Sequence, residues 1–258
     1  MRPPFALLNA LTMRGVLGRC WLFAFRTSPS TARRFLPAPL EPVRHGAFAY
    51  WNVVVCHVGL IRPAFVPAWV PAWLGLNYWH VAYRLYARLP LGPNRAGCPP
   101  GQASALEGLY FVRSDCNHPL IGVSGRVLTD FRFHLAGVAV EETDAGVRIA
   151  IRSPDAPAEV RLFRNGATAL PPGSPFGSLA EAEAALKYRP FGLSLDRAGR
   201  RANVVRIVRD EAAWRAHSVA VEHARFAFFD GIDAELELCT EVDAIEYQWN
   251  RGRIVRLR

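Results

Sequence analysis

Few side chains in this sequence can form or break bonds, and the most suggestive run is Gly125–Ala136, GRVLTDFRFHLA. His134 can move a proton or donate a hydrogen bond near neutral pH; a half-buried structural histidine is the competing reading. Arg126 can present a planar guanidinium fork to a carboxylate, or form a scaffold ion pair with an acid such as Asp115. Arg113 and Asp115 lie two apart and share a face of any regular strand, a pairing more often structural than catalytic. His80 and Arg84 make a second polar pair in a strand-like stretch. His217 and His223 fall on one face of an unbroken strand, too far apart to share a metal ion. Cys116 and His118 are better spaced but have no obvious third ligand, so no metal site is expected. Lys187 is the only lysine, and any Schiff-base chemistry falls to it. No GxSxG elbow, GxGxxG turn or P-loop occurs, and Ser124, in GVSGR, sits in a predicted strand as a wall residue.

The elements that must position these groups read as a large β-rich domain. The chain has 258 residues, of which 51% are hydrophobic, with seven Trp and fifteen Phe, a composition that excludes disorder. Its net charge of +9 attracts anions. The arginines are scattered, however, without the basic stripe and interleaved aromatics of a nucleic-acid reader, so no nucleic-acid partner is expected. Five cysteines, widely spaced and without a CxxC pair, read as reduced thiols in a cytoplasmic protein. The first 18 residues carry an early Arg and a short apolar run, but Asn9 and Arg14 interrupt it; an N-terminal arm or helix over 1–18 is expected rather than a targeting segment. The uncharged stretch Pro63–Tyr83 contains Pro63, Pro67 and Pro71, which break a spanning helix, so strands and a loop are expected there and no membrane span.

Strand composition marks Cys20–Phe25, Phe48–Val58, Leu76–Ala87, Leu109–Arg113, Leu120–Leu128, Val138–Thr143, Val147–Arg152 and Ala158–Arg164, with Leu91–Ala103 a Gly- and Pro-rich loop. Ser28 with Pro29 starts a short helix to Phe35, and Ser178 with Glu181 has the spacing of a capping box ahead of a helix to Leu186. From Tyr188 to Arg253 the composition is again strand-like.

Four segments, in one chain order, resemble the acetoacetate decarboxylase-like superfamily and, more closely, an uncharacterised bacterial branch of it. They are RTSPSTARRFLPAPLE (26–41), GLYFVRSDCNHPLIGVSGR (108–126), YRPFGLSL (188–195) and EVDAIEYQWNRGR (241–253). The superfamily's lysine segment matches the frame of Gly125, Arg126, Leu128, Leu135 and Ala136, but its paired lysines, one of which forms the Schiff base, are replaced by Phe133 and His134. The resemblance implies a mainly β (α+β) fold, a closed antiparallel β-cone or barrel with a few peripheral helices, over residues 19–258. It also implies an internal pocket for a small organic acid or carbonyl compound, a possible homo-oligomer and no cofactor. Carried over residue by residue, the superfamily's active-site arginine falls near Arg19, and its two acids fall at Asn52 and near Trp79 or His80. The expected site is therefore His134 as proton donor or acceptor, with Arg126, Arg19, Asn52, His80 and Phe133 around the ligand. The leading expectation is a small-molecule-binding cone without Schiff-base chemistry. The alternatives are a lyase-like enzyme using His134 and arginines, and a structural or partner-binding protein.

Overall fold

The structure is a computed structural model that describes residues 5, 9–67, 76–91, 105–163 and 168–257. Its first strand, β1 (Met13–Thr27), explains the architecture, because it is paired along both edges. After it come α1 (Pro29–Phe35), the two-residue β2 (Glu41–Pro42) and β3 (Arg44–His45), then β4 (Phe48–Pro63), β5 (Leu76–Pro90) and β6 (Ala105–Cys116). β1 pairs with β4, β4 with β5 and β5 with β6, all antiparallel, while β2 and β3 edge β5 and β4.

Next in the chain are α2 (Pro119–Leu128), β7 (Phe133–Leu135), β8 (Gly137–Glu142), β9 (Gly146–Arg152), β10 (Ala158–Phe163) and α3 (Leu179–Ala185). They are followed by β11 (Phe191–Leu195), β12 (Arg201–Arg209), β13 (Ala216–Ser218), β14 (Ala220–Phe226), β15 (Glu235–Val242), β16 (Ile245–Trp249) and β17 (Arg253–Arg256). β6 passes in parallel to β11, β11 to β12, β12 to β16, and β16 returns to Met13–Leu17 of β1. The circuit closes there, so that these seven strands form one continuous wall. Beyond Leu17 the same edge of β1 passes to β15, at Cys20–Arg26, and β15 goes on to β13 rather than back to β12. The wall is closed at the Met13 end and splayed at the Thr27 end, the shape of a cone. β17 and β7 extend β12 and β6.

Period-two alternation separates two cores. On β1, Cys20, Leu22 and Ala24 face the cone interior with Val54, Cys56, Tyr78 and Tyr247. Trp21, Phe23 and Phe25 face outward, onto a second antiparallel sheet of order β14–β10–β9–β8 that contributes Ile149, Val160 and Phe226. Phe23 is fully buried there, edge-on to Phe226 at 5.3 Å; burial of such a side chain stabilises by about 1.5–3 kcal/mol.

Both predicted helix starts hold. Ser28 Oγ accepts from Thr31 N–H at 3.2 Å, and Ser178 Oγ accepts from Glu181 N–H at 3.2 Å, although Glu181 reaches back to the amide of Gly177 rather than that of Ser178. Three readings are corrected. Leu120–Leu128 is the helix α2, not a strand. His217 and His223 lie on separate strands in different sheets, since the chain breaks at Val219 between β13 and β14. β1 begins at Met13, so part of the expected arm is barrel wall. Most of the predicted loop Leu91–Ala103, Cys98 within it, and residues 68–75 of the proline-rich stretch lie outside the described residues. No helix among the described residues is long and apolar enough to cross a membrane.

Candidate functional site

β5 carries the interior chemistry. Tyr78, His80, Ala82, Arg84 and Tyr86 alternate along one face, all buried, and β4 sets Asn52 opposite Arg84 and Cys56 opposite His80. At the closed end the interior opens into a cavity of about 160 Å3, walled by Tyr78, His80, Phe133, Tyr247 and Trp249 and roofed by α2. The roof can sit this close because its inner positions are glycines. A Cβ on Gly125 would overlap the Phe133 ring, and one on Gly122 would meet Leu135 Cδ2 at 2.8 Å.

His80 stacks on Phe133, with ring centroids 5.3 Å apart and planes at 16°. Its Nε2 is buried and has no hydrogen-bond partner. Burial, helped by the nearby Arg84 charge, lowers its pKa to about 3, so the imidazole is neutral at physiological pH. Arg84 lies further up the cone. Its guanidinium bonds Asn52 Oδ1, sits 5.6 Å from the centroid of the Phe111 ring, and forms no ion pair with a carboxylate among the described residues. Burial lowers its pKa. Asn52 donates to Tyr86 Oη at 3.0 Å, and Tyr86 donates to the Leu186 carbonyl. Nearby, the Tyr188 hydroxyl is buried without a partner. A buried cation without a carboxylate partner among the described residues is expensive to keep, and a group of this kind is a candidate for receiving an anion.

Of the residues named from sequence, His80 and Phe133 line the cavity, and Asn52 lies in the same interior against Arg84. The other three lie elsewhere. His134 faces the opposite side of β7 from Phe133; burial and the charge of Arg113 lower its pKa. Arg126 is exposed on α2 and donates to the Phe133 carbonyl at 2.7 Å. Arg19 is on the outer surface, paired with Glu142 and Glu241. Asp115, the acid considered for Arg126, is held by Arg113 at 2.9 Å, and Asp155 completes that cluster. Lys187 is also outside the interior, paired with Glu211 at 2.8 Å. Tyr78, Tyr247 and Trp249 were not named from sequence; their signal is parity, because they share a strand face with His80 or with each other. Among the described residues no group of three or more His, Cys, Asp and Glu side chains could hold a metal ion.

This closed cone, with its covering sheet and end cavity, is an acetoacetate decarboxylase-like fold. The structure of acetoacetate decarboxylase from Legionella pneumophila superposes with a TM-score of 0.60 at 13% identity, covering 99% of this chain and 92% of that one. An acetoacetate decarboxylase-like enzyme from Sphingomonas wittichii gives 0.58 at 12% identity, covering 100% and 97%. The enduracididine biosynthesis enzyme MppR complexed with pyruvate gives 0.54 at 14%, covering 99% and 91%. The chain itself belongs to the family DUF2071, described as an uncharacterized conserved protein, whose model matches residues 18–243. No curated protein sequence matches it significantly.

Proposed function

We propose that the cone binds a small carboxylic acid or carbonyl compound noncovalently, with its apolar part in the cavity under α2 and its polar head toward His80. The observation that carries this reading is the unpartnered Nε2 of a buried, neutral His80 on a mostly apolar cavity wall. A neutral imidazole nitrogen can donate to a carbonyl or accept from a carboxylic acid. Arg84, close enough to depress the His80 pKa, favours an anionic or strongly polarised head group. Support for the class also comes from MppR, a protein of the same fold that has been solved with pyruvate.

Schiff-base chemistry is not part of the proposal, because the single lysine is tied to Glu211 outside the cone. Proton transfer by His134 is not favoured either, since that ring faces the Arg113–Asp155 cluster instead of the cavity. The test is thermal stability against a panel of small keto acids, carboxylic acids, ketones and aldehydes. A ligand at a hundred times its dissociation constant stabilises the fold by about 2.7 kcal/mol. The expected result is a shift for one class that survives in His134→Ala and disappears in His80→Phe. A flat panel, or a shift that His80→Phe leaves intact, overturns the assignment.

A further inference from the structure

The roof of the cavity has a second face. α2 directs Ile121, Ser124, Gly125 and Leu128 toward the cavity, while Leu120, Val123 and Val127 lie exposed on its outside. Spacing of three and four residues makes these a continuous apolar stripe. The stripe has neighbours of the same kind. The Asn9 amide donates to the Leu128 carbonyl at 2.6 Å, which brings exposed Leu11 alongside, and the Ala64 amide donates to the Thr12 carbonyl at 2.8 Å, which brings exposed Phe65 to the same end. Leu11 and Leu128 belong to both the cavity wall and this outer patch. Apolar exposure gathered at one end of a molecule marks an interaction surface.

The charge around the patch identifies the partner. Arg14, Arg62 and Arg126 are bonded to neutral oxygens: Gln248 Oε1 at 2.8 Å, the Leu60 carbonyl at 3.3 Å and the Phe133 carbonyl at 2.7 Å. Among the described residues none of the three forms an ion pair, which leaves each guanidinium open to an outside partner. Asp210 and Glu246 line the same outer groove as Arg14 and Arg62, and Asp130 lies four residues from Arg126. We propose that the closed end of the cone docks on an anionic lipid surface, with the α2 stripe in the acyl boundary and the three guanidiniums among the headgroup phosphates. Apolar side chains flanked by arginines that form no ion pair among the described residues match that interface in both of its components. The net charge of +9 adds long-range attraction of the same sign. Because the patch and the cavity share Leu11 and Leu128, a docked protein would present its cavity to molecules dissolved in the bilayer.

The experiment is co-sedimentation of the full chain with vesicles of phosphatidylcholine alone and of phosphatidylcholine with phosphatidylglycerol. Wild type is compared with Leu120→Ser/Val123→Ser/Val127→Ser, with Arg14→Gln and with Arg126→Gln, each first checked for an unchanged thermal melt. Binding is expected only with the anionic vesicles and weakens with added salt. The triple variant should bind at least about tenfold more weakly, and each arginine variant about fivefold. No sedimentation with anionic vesicles, equal binding to both compositions, or binding that survives the triple variant overturns the proposal. A concentration-dependent dimer that the triple variant abolishes, without vesicle binding, overturns it in favour of a second copy of this chain on the same face.

Discussion

The buried neutral imidazole of His80 makes a quantitative demand on stability. In the unfolded chain His80 titrates at its ordinary value of 6.5, and in the fold it titrates at about 3. Above pH 6.5 both states hold it neutral and it contributes no pH dependence. Between those two values the unfolded chain binds a proton that the folded chain refuses, so stability falls as pH falls, by about 1.4 kcal/mol per pH unit. Going from pH 7 to about pH 4.5 expresses two of those units, a loss of about 3 kcal/mol from this one residue. His45 and His134 are also depressed, chiefly by burial, and act in the same direction, so wild type alone does not isolate His80. His80→Phe does, because phenylalanine keeps the stack on Phe133 and the adjoining cavity takes the larger ring. Urea unfolding of both proteins at the two pH values gives the comparison. Wild type should lose about 3 kcal/mol more than the variant between them. A difference under about 1 kcal/mol would mean that His80 is solvated or paired in the native state, and the reasoning about the cavity wall would be wrong.

Other consequences follow from single contacts. Asp115→Ala removes a fully buried carboxylate from Arg113 and should lower unfolding stability by about 3 kcal/mol in urea titration, with Asp155 the remaining partner of the guanidinium. Gly125→Ala drives a methyl into the Phe133 ring; we expect a loss of about 1–3 kcal/mol and disappearance of any ligand-induced thermal shift. Lys187→Ala should leave ligand binding unchanged, and borohydride reduction with keto acids should add no mass to the wild-type protein. Arg84→Met should abolish the shift from carboxylate ligands without a large loss of stability in urea titration; a large destabilisation would identify Arg84 as scaffold.

How much of this was legible in the sequence depended on whether direction is set locally. The long strands were readable because aromatic and β-branched runs such as Phe48–Val58 bury both faces, one against the cone interior and the other against the covering sheet. His80 entered through the resemblance rather than from its strand; the structure sets it on one face of the 15-residue β5 with Tyr78 and Arg84. α2 was not. Its sequence, LIGVSGRVL after Pro119, has two glycines and three β-branched residues, all poor helix formers, and the glycines are present because Phe133 and Leu135 press against the helix. That requirement is tertiary and leaves no local signature. The same limit explains the exchange of Phe133 for His134. Neighbouring residues on a strand face opposite ways, and β7 is only three residues long, paired in parallel to β6 by Ser114, Asp115 and Cys116. Its parity is set by that register and by the helix above it, so nothing within FHL could say which of the two rings turns inward. A resemblance can place a pair of residues at a site. The choice between them needs the strand next door, and here it turns the aromatic ring into the cavity and leaves the proton-bearing group there to be supplied by β5.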